Sequence, residues 1–352
     1  MKRREILKLA KAASVCLGIA VTGGLMSLSP VQAATKTLRI LTWEGYADDQ
    51  WVKGFEQKTG AKVEVTYVGS IDEIFAKLTA TKGADYDVVA IETSSYKRLV
   101  GEHLVSPIDL SKIPNASNLS PAFKNVSAIV FDGKPYAIPY AWGSIPLIYD
   151  KTAYPQAPDS WNVMWDPKNV GAVMTMDEAE NNIVVAALVL GFKDPFNLTD
   201  EQFAKVKEKL IAEKKNLATL YSGFDDGASI FAQGGVKLMM SQGEPQLILA
   251  NKKGANAALT IPKEGAIGWI DCWMISAGAQ DVDLAYQWID YMLQKDVGKY
   301  LSEKTGYGNT TDEDSNKSIG MTYADRLVWL QAPEDYAKRN DIWNAVKAAP
   351  VQ

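Results

Sequence analysis

Between Thr37 and Ile91 the hydrophobic pattern switches repeatedly between two periods, and few folds accept that order. Thr37-Leu-Arg-Ile-Leu-Thr-Trp43 alternates, as a strand does when successive side chains point to opposite faces. Asp48 to Thr59 carries Trp51, Val52 and Phe55 at helical spacing and stops at Gly60. Lys62 to Val68 alternates again, and Ile71 to Thr81 gathers Ile74, Phe75 and Leu78 on one helix face. Tyr86 to Ile91 is almost continuously apolar, which suits a strand covered on both sides in a parallel sheet. A β-α-β-α-β order spells an open α/β sheet, whose ligands sit off the carboxyl ends of the strands. Trp43, Tyr46, Glu92 and Ser94 fall at such ends. Glu92 either caps the next helix or adds an acid to the site.

From Phe131 the chain changes character. Lys134-Pro-Tyr-Ala-Ile-Pro-Tyr-Ala-Trp-Gly143 is rich in proline and aromatics and reads as the crossing into a second lobe. A strand at Ile145 to Tyr149 follows, then one at Ala172 to Met176, then helices at Asn181 to Leu190 and Asp200 to Glu213. Glycine-punctuated Gly234 to Gly243 reads as a further strand pair, with Gln242 at its end. Trp269 to Ser276 runs back to the first lobe. Helices at Asp283 to Leu293 and Val297 to Lys304 follow, and Tyr323 to Ala348 reads as a helical tail. The expected division is therefore 35–141 plus 273–320 for the first lobe, 142–272 for the second, and 321–352 for a tail packed on the second.

Residues 1–34 read as an export segment and stand outside the fold. Lys2, Arg3, Arg4, Lys8 and Lys11 form a positive start, Ala12 to Leu28 a modest apolar run, and Val31-Gln-Ala-Ala34 a cleavage-type end. Lys2-Arg3-Arg4-Glu5-Ile6-Leu7 is similar to the twin-arginine export motif, with an ordinary Sec signal as the alternative. Cleavage after Ala34 would lower the formal net charge from −5 by four, to −9, and leave Cys272 as the one cysteine. An acidic chain without a basic stripe makes nucleic acid a poor partner. A lone cysteine allows no internal disulfide.

Catalytic and metal chemistry find little material. One histidine, His103, beside Glu102, cannot supply zinc spacing together with a single remaining cysteine, and any Ser-His-Asp triad would depend on it alone. No phosphate-cradling glycine motif occurs, so no cofactor and no metal are expected.

Binding chemistry is better supplied. As a strand, Gly268-Trp-Ile-Asp-Cys-Trp-Met-Ile275 puts Trp269, Asp271 and Trp273 on one face. That face is either half exposed with Asp271 solvated, or a cation seat in which the acid supplies charge and an indole supplies cation–π attraction. Asp177 and Glu180, in Thr175-Met-Asp-Glu-Ala-Glu180, follow an apolar strand and precede a helix. Acids favour helix starts for dipole reasons alone, and they would equally serve a cleft. Asp177, Glu180 and Asp271 together with Trp43, Tyr46, Trp269 and Tyr307 suit an elongated organic cation, with carboxylates on ammonium ends and rings along the methylenes.

These motifs, taken in order, resemble a known family. The export segment, the aromatic-acid turn at Trp43 to Tyr46, Ile138-Pro-Tyr-Ala-Trp-Gly-Ser144, Asp177-x-x-Glu180, Trp269-Ile-Asp271 and Thr305-Gly-Tyr307 look like the spermidine/putrescine-binding proteins of bacterial ABC importers. The resemblance implies a two-lobed periplasmic binding protein that closes on ligand like a flytrap. It also implies polyamine contacts at Trp43, Tyr46, Asp177, Glu180, Trp269, Asp271 and Tyr307. The expected partners are a small amine and a membrane permease, the expected state a monomer, and the expected role non-enzymatic. Two departures stand out: Glu92-Thr-Ser94 replaces a Ser-Thr-Tyr-type ligand loop, and Ser241-Gln242 stands where a tryptophan is expected. The alternatives are a receptor for a zwitterionic amine such as γ-aminobutyrate, or a carbohydrate-active enzyme using Asp177 and Asp271.

Overall fold

The structure, a computed structural model, describes residues 35–333 and 335–351; the export segment read at 1–34 lies outside the described residues. Strands β1 (Thr37–Trp43), β2 (Lys62–Val68) and β3 (Val88–Glu92) run parallel in the order β3-β1-β2, joined by helices Asp49–Thr59 and Ile71–Thr81. Both helices start on the caps their sequences advertise. Asp48 accepts from the Gln50 amide and Ser70 from the Glu73 amide, so amides with no helical partner are satisfied. The chain continues through β4 (Val105–Ser106), the small hairpin of β5 (Val130–Phe131) and β6 (Lys134–Pro135), and β7 (Ile138–Ile145). All eight residues of β7 are buried, which fits its continuous apolar run.

A second sheet begins one residue later. β8 (Leu147–Asp150), β9 (Val173–Met176), β10 (Leu217–Tyr221), β11 (Leu238–Met240) and β12 (Ala257–Thr260) pair in the order β10-β9-β11-β8-β12. The chain then returns to the larger sheet as β13 (Ala266–Ser276), followed by β14 (Gly308–Asn309) and β15 (Leu327–Trp329). The larger sheet reads β14-β7-β13-β3-β1-β2, with β4 and β15 also on β13. The chain therefore passes between the sheets at Pro146 and again over 261–265, so 142–145 and 266–272, which the expected division put in the second lobe, belong to the larger sheet with the first-lobe strands.

Two local expectations are corrected. Gly234 to Gly243 holds one strand rather than a pair, because Gly234, Gly235 and Gly243 all take positive φ and turn the chain at both ends. The tail is not one helix. Leu327–Trp329 pairs in parallel with Ala266–Gly268, where β3 does not reach, and the helix forms only at Tyr336–Ala348. Pro333 explains the delay, since proline disfavours helical backbone in the residue before it. The tail helix packs on helices Ala179–Val189 and Asp200–Glu213, burying Trp343 and Val346 against Ile183, Phe203 and Leu210.

Candidate functional site

Asp271 is the exception that locates the site. It lies midway along β13, a strand otherwise uncharged and buried apart from half-buried Trp269, and is itself only 7% exposed. A buried carboxylate is expensive unless something pairs with it. Around it is a cavity of about 510 Å³ lined by Trp43, Glu44, Tyr46, Gly69, Ser70, Ile71, Glu92, Trp269, Asp271, Tyr307 and Leu330.

Each wall has a local cause. Trp43 ends β1, and Gly45 at φ 92° turns the chain so that Tyr46 comes back over the sheet edge. Its hydroxyl donates to Asp271 Oδ2 at 2.5 Å, and its ring meets Tyr140 edge-on at 5.3 Å. Trp269 packs against Gly143, where an added Cβ would stand 2.3 Å from the indole, so this glycine makes room for the ring. Tyr307 meets Trp269 edge-on at 4.8 Å. Gly306 caps helix Lys295–Thr305 in the left-handed region and delivers Tyr307 to the cavity just before β14. Trp273, two residues beyond Asp271, is fully buried against Tyr140 and Trp288 and does not line the cavity.

Glu92 and Asp271 are direct partners in the antiparallel β3–β13 pairing. Burial pushes the Asp271 carboxyl up to about 7, against the lowering effect of hydrogen bonds from Tyr46 and Trp43. Burial, and then the nearby Asp271 charge, push Glu92 up to about 8. Glu92 stands at the cap position of the short turn Thr93–Ser95, where the Ser94 amide draws its pKa down against burial without completing a side-chain cap. It accepts instead from the Ser94 hydroxyl, so Ser94 reaches the site only through Glu92. No ion pair between described residues reaches either acid.

Asp177, Glu180 and Gln242 do not line this cavity. Asp177 Oδ1 accepts from Trp343 Nε1 at 2.9 Å and Lys347 Nζ at 2.8 Å. Lys347, and then Trp343, hold its carboxyl below the usual range. Glu180 pairs with Arg339 at 3.2 Å, yet burial outweighs the pair and pushes it up to about 7. The tail helix thus supplies partners for both acids. Gln242 follows β11, where its amide donates to Gln246 Oε1 and its Nε2 to the Ser222 carbonyl. Between the two tail-bound acids, Glu178 caps helix Ala179–Val189 by accepting from the Asn181 amide at 3.0 Å.

Leu330, Ser70 and Ile71 were not read as site residues. Leu330 enters because β15 carries the tail along β13; its amide donates to the Gly268 carbonyl and its carbonyl accepts from Thr93 Oγ1. Ser70 and Ile71 follow from position, since the helix after β2 starts at the same strand ends as Trp43 and Glu92.

Known proteins share this architecture. The spermidine/putrescine ABC transporter substrate-binding protein PotD from Streptococcus pneumoniae superposes with a TM-score of 0.78 at 22% identity, covering 89% of this chain and 99% of that one, which shows the two-lobed fold. The spermidine/putrescine-binding periplasmic protein of Escherichia coli K12 is 31% identical over 275 residues, 77% of this chain and 76% of its own length. The putrescine-binding periplasmic protein PotF of the same organism is 29% identical over 308 residues, 82% of each chain. A family profile described as bacterial extracellular solute-binding protein matches residues 50–319, and with a relative at this identity and coverage the chain belongs to that family.

Proposed function

We propose that this protein is the periplasmic capture component of an ABC importer, working as a monomer, and that its ligand is a small polyamine of the putrescine or spermidine kind. The observation that carries the reading is a pair of carboxylates, buried Asp271 and half-buried Glu92, inside an aromatic cavity with no lysine or arginine among its lining residues. Such a site is short of positive charge. A ligand ammonium supplies it, with Trp43, Trp269 and Tyr307 offering ring faces and edges to the cation and its methylenes. The names of relatives that bind spermidine and putrescine support the same class. Export through the twin-arginine route belongs to this proposal, and no helix among the described residues is long and apolar enough to cross a membrane.

Capture would begin on the larger sheet and end with closure of the smaller one over it, the chain bending at Pro146 and 261–265. On that side Asp177 is the acid we assign to ligand. Its pair with Lys347 leaves both side chains about a third exposed, 34% and 37%, and such a pair is worth only about 0–1 kcal/mol. A ligand ammonium can displace it. Glu180 we assign to the tail, because its partner Arg339 is 1% exposed and anchored elsewhere.

Calorimetry with putrescine, spermidine and γ-aminobutyrate tests the ligand class. Putrescine binds, and γ-aminobutyrate binds at least about a hundredfold more weakly, because its carboxylate would be desolvated without a donor of opposite charge. A preference for γ-aminobutyrate would replace the polyamine by a zwitterion. The aromatic wall has its own test. Trp269→Ala weakens putrescine binding by about 2 kcal/mol, the scale of a desolvated cation–π contact with its packing. Trp165→Ala, in the second lobe with its indole on the Lys209 carbonyl, leaves affinity unchanged. Equal losses at the two tryptophans would place the ligand elsewhere.

A further inference from the structure

Two carboxylates face each other across one strand pair, and the cavity they share supplies no counter-cation. Glu92 and Asp271 are register partners, and like charges directly opposite one another repel. Asp271 has Tyr46 on Oδ2, whereas Glu92 Oε2 is sealed from solvent and has no hydrogen-bond partner among the described residues. On the opposite face of the pair, where Cys272 is the register partner of Ile91, the Cys272 thiol and the Tyr96 hydroxyl, which donates to the Ile91 carbonyl, lie close enough to feel the Glu92 charge; Tyr46 donates to Asp271 and Tyr307 lies near it. Each of these groups is uncharged when protonated, and burial pushes all four further toward that form. Exposed Glu44 at the cavity edge adds only negative charge.

We propose that Glu92 and Asp271 share one proton in the empty site and surrender it when a primary ammonium enters, so that capture is an exchange of proton for ammonium. This deepens the amine reading above and rests on it. The exchange balances. Before binding, two carboxylates and one proton carry one negative charge; afterwards, two carboxylates and one ammonium carry the same. The ammonium keeps its own three protons and donates them to the carboxylate oxygens, and the displaced carboxyl proton passes to solvent. Burial therefore never has to accommodate two uncompensated charges at once. The raised positions of Glu92, about 8, and Asp271, about 7, agree with a proton retained at neutral pH. Because the two titrate together, the proton belongs to the pair.

The direction of the pH effect follows. Where the pair holds its proton, ligand must displace it and affinity is reduced; as pH rises through the pair's titration the competition disappears. Affinity for putrescine then increases roughly tenfold per pH unit between about pH 7 and pH 8, more steeply below about pH 7 where Asp271 takes up a proton as well, and levels off above about pH 8. Putrescine itself stays fully charged there, since alkyl ammonium groups titrate near ~10.

Calorimetric titration of the full exported chain with putrescine at pH 7, in phosphate and in MOPS, reads the exchange directly. The dependence of apparent enthalpy on buffer ionisation heat gives the number of protons released. About one is expected for the native protein, and about half of that for Glu92→Gln, which binds more weakly and in which burial alone still holds Asp271 up at about 7. Binding without proton release and with a flat pH profile overturns the exchange while leaving the amine reading intact. Unchanged release from Glu92→Gln overturns the assignment to this pair. No binding of putrescine anywhere from pH 6 to pH 9 overturns both. If Glu92→Gln does not fold, the native proton count and pH profile still decide.

Discussion

Asp271→Asn is expected to weaken putrescine binding by about 2–5 kcal/mol, tens- to thousands-fold in affinity, while the protein stays folded. The size follows from what the substitution leaves behind. Asparagine fills the same space beside Tyr46, so the walls at Trp43, Trp269 and Tyr307 persist and only the charge is lost. The ammonium then enters a buried place with one carboxylate where two stood. Glu92 offsets part of the loss, since without the Asp271 charge opposite it one cause of its raised pKa is gone and it ionises more readily. The same reasoning makes the two acids non-additive. Removing both by Asp271→Asn with Glu92→Gln should weaken binding by more than the two single losses combined, because neither can then stand in for the other. Calorimetry on the three variants measures this. An Asp271→Asn affinity within twofold of the native value would remove Asp271 from the site.

The first-lobe half of the site was legible because its signals are local. Trp269 and Asp271 stand two apart on one strand, and Trp43, Tyr46 and Glu92 end or follow strands of a parallel sheet whose carboxyl ends collect ligands. Period and position suffice for that inference. The second-lobe acids show where such reasoning stops. Asp177 and Glu180 sit at a helix start, and that pattern is the same whether a ligand or another part of the chain takes up the charge. Here Lys347, 170 residues from Asp177, and Arg339 do so, and nothing near Asp177 records it. Leu330 escaped for a related reason. The strand just before it is three residues long, too short for a period to be visible, and exists because β13 extends beyond β3 and offers unpaired backbone. Gly143 shows the reverse case: the glycine was plain in the crossing motif, but its purpose, room for the Trp269 indole, is a contact between distant strands.

Arg339→Ala is expected to destabilise the protein by about 3–5 kcal/mol and to leave putrescine affinity unchanged. Arg339 is 1% exposed, pairs with Glu180 through Nη1, and donates through Nη2 to the carbonyls of Pro195 at 2.8 Å and Phe196 at 2.9 Å. Its guanidinium also lies 5.4 Å from the Phe203 ring centre. Alanine leaves two carbonyls and a carboxylate without their donor and opens a gap beneath the tail helix. Glu180, already up to about 7 with the guanidinium beside it, is driven higher once that cation is gone and takes up a proton near neutrality. Adding Glu180→Gln to Arg339→Ala should therefore restore part of the loss, since an amide needs no cation. Urea unfolding of the single and double variants gives both numbers. A loss below about 1 kcal/mol would reduce the contact to the scale of an exposed ion pair. Affinity separates the two roles open to Glu180. If it anchors the tail, freeing it changes binding little; if it is a ligand acid held in reserve by Arg339, Arg339→Ala binds putrescine more tightly than the native protein.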